Sequence, residues 1–174
     1  GMVIPLMSEF LEYEPGDGEQ RKQDCESKAF HRLAERIKQA FPRLPVMLLL
    51  DGLYPNGPIM ERCRSYRWDF MIVLKDGSLS SVWEEYHSLR HEQEENRRQQ
   101  NWGERRQHFQ WVNAIRYEYG PNAKKSIDIH VVVCREQWEE VDPDTLQIVT
   151  KENKHAWISS RPLSRLNVHT RCNL

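Results

Sequence analysis

The chain has 174 residues, 39% apolar and 29% charged, and a formal net charge of −1. It is long enough for one domain with a lean hydrophobic core, and its near-neutral balance excludes a globally basic nucleic-acid binder. No apolar run is long enough to cross a membrane. No export signal is visible, and Cys25, Cys63, Cys134 and Cys172 are scattered without a CxxC pair. That pattern excludes a zinc-finger frame and fits reduced thiols in a cytoplasmic protein.

Val3–Tyr13 is apolar-rich and ends at the acidic, Gly/Pro-marked turn Glu14–Gly18, which predicts the tail of a strand entering a loop. From Asp24 the period changes. Ala29, Phe30, Leu33, Ile37, Ala40 and Phe41 recur at three- and four-residue spacing, predicting a helix capped by Asp24 and closed by Pro42. The apolar run Pro45–Leu50, stopped by Asp51-Gly52, predicts a strand buried on both faces. Asn56-Gly57-Pro58 opens a short helix with a buried stripe of Ile59, Met60, Cys63 and Tyr66. Asp69–Lys75 is a second buried strand. Strand, helix and strand in so short a span predict a parallel pair with a right-handed crossover, hence an α/β fold.

Leu79, Val82, Trp83, Tyr86 and Leu89 predict a further helix. It passes into Arg90–Gln107, almost wholly charged or amide, which reads as a solvated helix or a mobile loop. Strict alternation then places Phe109, Trp111, Ile115, Tyr117 and Tyr119 on one side of a strand. After the turn Gly120-Pro121-Asn122, Ser126–Cys134 answers with Ile127, Ile129, Val131 and Val133, the signature of an antiparallel hairpin. Beyond Asp142-Pro143-Asp144, two short strands are expected at Leu146–Thr150 and His155–Ser159, with no helix after Ser160.

The block Val46–Lys75, VMLLLDGLYPNGPIMERCRSYRWDFMIVLK, closely resembles the segment around the second catalytic Asp of insertion-sequence DDE transposases. In that family a buried strand ends in Asp-Gly-x-Tyr, a helix follows, and then a strand of the F-x-(I/V)-x-L-K kind. The matching residues are Asp51, Gly52, Tyr54, Phe70 and Lys75. Val3–Glu12 resembles the stretch after the strands bearing the first Asp, and His155–Leu174 resembles the lead-in to the helix bearing the final Glu. The resemblance implies a mixed α/β fold. It has a partial RNase H-like core over 1–78, a helical and antiparallel β-rich insertion over 79–159, and a lead-in to the last core helix over 160–174. It also implies that the first Asp precedes Val3 and the Glu lies beyond Leu174. With Met2 directly after Gly1, which reads as an expression remnant, a truncated reading frame is the expectation.

The implied chemistry is magnesium-dependent phosphodiester hydrolysis and strand transfer at transposon ends, with two ions held between three carboxylates. Asp51 is the one matched catalytic, metal-ligating acid, so magnesium binding is expected to be weak or absent. An Asp before a Gly is also an ordinary turn. Asp69, Asp76, Asp128, Glu9 and Glu12 have no motif behind them and read as surface acids. His87 and His91, with Glu84 a turn earlier, have zinc-compatible spacing, but with no Cys or His partner at a set distance they read as an exposed helix face. Arg97, Arg98, Arg105 and Arg106, interleaved with Trp102 and Trp111, are diluted by nearby Glu. The acid-free stretch carrying Arg161, Arg165, His169 and Arg171, together with Lys75, is the expected DNA-facing set. The rival readings are a domesticated, non-catalytic DNA-binding or assembly module, and an interaction domain unrelated to DNA.

A homodimer is expected as well. With no first-Asp strand, Val46–Leu50 would present an unpaired edge. Either a second copy mends the sheet there, or Val3–Tyr13 moves into the vacant position.

Overall fold

The computed structural model describes residues 4–11 and 19–173, with side chains in the first helix from residue 26 onward. Val3, the stretch Glu12–Gly18, the Asp24 and Cys25 side chains and Leu174 lie outside that description. Among the described residues ten elements follow in chain order: α1 (Glu19–Ala40), β1 (Met47–Leu50), α2 (Gly57–Tyr66), β2 (Asp69–Val73), α3 (Ser80–Leu89), β3 (Arg97–Trp102), β4 (Arg105–Tyr119), β5 (Lys125–Val141), β6 (Ile148–Ser159) and α4 (Val168–Cys172). A 3-10 turn at Pro121–Ala123 joins β4 to β5. The mixed α/β class is as expected. The strands form one six-stranded sheet in the order β1-β2-β6-β5-β4-β3. Only β1 and β2 are parallel; the other neighbours are antiparallel.

Local chemistry explains the β1-α2-β2 unit. Asn56 is extended, and its side-chain oxygen accepts the Ile59 N–H at 3.0 Å, while Pro58 sits at the first turn. Arg67 closes α2 in the left-handed region, with its N–H donating to Arg64 and Cys63 carbonyls. Gly57 has no freedom to grow: a Cβ there would lie 2.1 Å from the Tyr119 ring, so α2 packs its first turn directly onto β4. Ile59, Met60 and Cys63 of α2 join Phe70, Ile72, Val82, Tyr86, Ile129, Val131 and Ile158 in one core on the helix-covered face. The opposite face has a second cluster, where Leu163 and Val168 cover Met71, Phe109, Trp111, Val132 and Cys134.

Several expectations are corrected. β1 is not buried on both faces. Leu48 and Leu50 pack inward, but Met47 is 38% and Leu49 56% exposed, because β1 is the edge of the sheet and no described element covers its second face. Asp51 therefore ends an edge strand. Residues 4–11 form no strand, so they do not occupy the position beside β1. They lie along α1, where the Glu9 carboxylate takes hydrogen bonds from Arg32 at 2.9 Å and Arg36 at 2.8 Å. Those two guanidinium groups hold Glu9 below the usual carboxylate range.

The charged stretch after α3 is no helix, and only residues 90–96 are loop; from Arg97 it is strand. It folds into β3 and the start of β4, turning at Gly103 with φ +57°. A hairpin at the sheet's far edge needs no apolar face, and its Arg side chains protect that edge from further pairing. Gln100 and Gln107 also bond across it at 3.0 Å. In β4 the alternation does not stay on one side. The pairing shifts between Val112 and Ile115, where Ala114 has φ +60°, so Phe109 and Trp111 face one cluster and Ile115 and Tyr119 the other. The buried His130 pins this bulge, since its Nδ1 accepts the Ala114 N–H at 3.1 Å, and Asn113 exchanges two hydrogen bonds with the Leu163 backbone. The two short strands expected near the end are one long β6, and a short helix, α4, follows Ser160.

Candidate functional site

The carboxyl ends of β1 and β2 bring together the residues of the Asp51 block. Asp51 is exposed immediately after β1. Its Oδ1 accepts the Leu53 N–H at 2.9 Å, and its carbonyl accepts the Tyr54 N–H at 3.3 Å, so the side chain is fixed by its own turn. No described cation lies within ion-pairing reach of Asp51. Gly52 lies under a close approach: a Cβ would meet Lys75 Cε at 2.5 Å, so the flexible Lys75 stem lies across the turn and would have to shift for any larger residue. Tyr54 turns inward against Phe30, with ring centroids 5.8 Å apart. Burial first, then Glu26 and Asp51, raises the Tyr54 phenol above its ordinary pKa.

Beside this turn, Asp76 pairs with Lys154 of β6, whose ammonium stands 4.8 Å over the Trp83 ring. A cleft of about 270 Å³ runs past Lys75, Asp76, Lys154, His155 and Trp157. The Asp51 end thus presents one unpaired carboxylate, one lysine and a mixed-charge cleft. Among the described residues, no three His, Cys, Asp or Glu side chains converge to hold a metal ion. Asp51 alone does not fit a two-magnesium centre, which needs several hard oxygen ligands.

The basic C-terminal set lies elsewhere. Arg161 ion-pairs with Asp69 at 2.7 Å, at the amino end of β2, roughly 13 Å along the strand from the level of Asp51. Arg165 is exposed, and its carbonyl accepts a hydrogen bond from Arg98. Arg171 turns inward, donating to Ser159 Oγ at 3.0 Å, and the His169 Nδ1 is buried without a partner. Of the expected DNA-facing residues, only Lys75 adjoins Asp51.

The remaining acids and thiols have local duties. Asp128 pairs with Arg116 at 3.3 Å on the surface. Glu136, sequestered between Arg105 and Gln107, holds the sheet to the C-terminal segment through Gln107 and Asn173. Cys63 and Cys134 are buried, which pushes their thiols to about 11 and about 12, far from the thiolate form at neutral pH. His87 stacks on Trp83 at 5.8 Å rather than forming part of a metal cluster.

Sequence reasoning missed the row of side chains that the strands bring together beyond α3. Gln99, His108, Arg135 and Lys154 stand opposite one another across β3, β4, β5 and β6. Their spacing in the chain has no period, and only the register unites them. No family model matches the chain, and no curated protein matches its sequence.

Proposed function

We propose that this chain carries the second-carboxylate end of a DDE-type transposase core, with Asp51 at the position of a catalytic metal ligand. The supporting observation is the β1-α2-β2 unit. A parallel pair joined by a helix ends in an exposed, unpaired Asp51, and the Lys75 stem closes over Gly52. Open α/β sheets place ligands beyond the carboxyl ends of their strands, and this is such a place. In this reading β1 and β2 are two parallel strands of an RNase H-like core, and β3 to β6 are the β-rich insertion paired onto its edge. Lys75 is the group that meets a DNA phosphate beside Asp51.

Within the described residues Asp51 stands without the other two carboxylates. The function assigned to the chain by itself is therefore DNA binding without strand cleavage. Fluorescence anisotropy with duplex DNA should show binding that weakens steadily with salt, and adding magnesium should produce no nicks. Absence of binding even at low salt would favour an interaction domain unrelated to DNA. Magnesium-dependent nicking that vanishes in Asp51→Asn would show that another acid completes the centre.

A further inference from the structure

A cavity of about 520 Å³ lies between α3 and the antiparallel strands, on the helix-covered face. Its floor is the cross-strand row Gln99–His108–Arg135–Lys154, with Arg97 and Gln110 in the row below. Its wall is the end of α3, where the buried Tyr86 is followed by His87 and Arg90. We propose that this cavity binds the phosphate group of a nucleotide, either free or within a DNA strand. The proposal is independent of any role for Asp51.

Charge carries the argument. Five cations, Arg90, Arg97, Arg98, Arg135 and Lys154, line one concavity, and Arg98 is already engaged by donating to the Arg165 carbonyl. Lys154 is partly neutralised by Asp76, and Arg97 meets Glu94 only at 3.9 Å between exposed groups. Neither Arg90 nor Arg135 has a described carboxylate within ion-pairing reach. Arg90, Arg135 and Arg97 all act on the Tyr86 phenol, each favouring its ionised form, although burial outweighs them and raises it to about 12. Two uncompensated guanidinium groups facing one recess repel each other and focus a positive potential into it. A phosphate relieves that repulsion and suits the guanidinium fork, which offers paired donors to its oxygens.

Size and remaining polarity fit the same ligand. The volume is that of a small-molecule pocket rather than a single-ion site. The Gln99 amide offers both a donor and an acceptor, Gln110 and Gln137 already donate to the Arg90 carbonyl and the Glu152 carboxylate, and the exposed His87 ring offers a flat surface at the mouth.

The probes are deoxyadenosine monophosphate and a single-stranded oligonucleotide, titrated at low salt and followed by tryptophan emission and by amide chemical shifts. Binding is expected to shift amides centred on His108 and Arg135. Arg135→Gln and Arg90→Gln should each weaken binding about tenfold, the loss of a charge-assisted contact. Arg116→Gln, on the surface away from the cavity, should change it less than about twofold. Binding of the mononucleotide identifies a free nucleotide as sufficient; binding of the oligonucleotide alone identifies a strand as the source. Circular dichroism checks that each variant folds, and the wild-type shift map decides the location should a variant fail to fold. Failure of both probes to bind at millimolar concentration would overturn the proposal. So would shifts centred elsewhere, or equal losses in Arg116→Gln and Arg135→Gln.

Discussion

Ile158→Ala should lower the stability of the whole chain by about 2–5 kcal/mol, the usual cost of emptying a fully buried aliphatic site. Ile158 is completely buried and stands between Ile72 of β2 and Val131 of β5. It therefore sits where the parallel pair meets the antiparallel strands, and its loss opens the core on both sides of that seam. Urea unfolding followed by far-ultraviolet circular dichroism and by tryptophan emission should give coincident single transitions in both proteins, displaced to lower urea in the variant. Two separate transitions, with only one displaced, would mean that segments 1–78 and 79–159 fold as independent units.

The second large effect concerns the free edge of β1. Asp69 N–H donates to Val46 C=O, and Met47 stands opposite Asp69. In this parallel ladder Leu48 and Leu50 turn their backbone groups to β2, while Met47 and Leu49 turn theirs outward. Unpaired backbone groups next to exposed apolar side chains are a template for another strand. We therefore expect a dimer that pairs β1 with β1 of a second copy. Leu49→Pro removes only an outward N–H, so it should leave the β1–β2 ladder intact and convert the dimer to monomer. Light scattering after size exclusion measures the change, and circular dichroism checks that the fold persists. A monomeric wild-type chain at high concentration would defeat this expectation.

What the sequence disclosed, and what it withheld, follows from the range of the interactions. The β1-α2-β2 unit was legible because its signals are local: an apolar run, Asn56 as cap, Pro58 at the first turn, and a second apolar run. The Asp51 turn was legible for the same reason. That one face of β1 is exposed was not, because Met47 and Leu49 are as apolar as Leu48 and Leu50, and only their neighbours distinguish them. The β3–β4 hairpin was hidden by its composition, since an edge hairpin solvated on much of its surface carries no apolar period. The bulge at Ala114 was hidden because a single extra residue reverses the facing of the rest of the strand without altering the pattern read from the sequence. The basic cavity is the most distant feature of all, built from α3 and four strands that meet only after β6 has paired on both sides.

Manganese, used as a paramagnetic stand-in for magnesium, tests the assignment of Asp51 most directly. Added to the isotope-labelled chain, it should broaden the amides of Asp51, Gly52 and Leu53 first, with Lys75 next because its side chain lies across that turn. Affinity should be low, since one carboxylate supplies few of the oxygen ligands that such an ion takes. Asp51→Asn should abolish this pattern and leave the rest of the spectrum in place. Broadening centred on Asp69, Asp76 or Asp128, or broadening around Gly52 that survives Asp51→Asn, would contradict the reading of the β1 carboxyl end as a metal-ligand position.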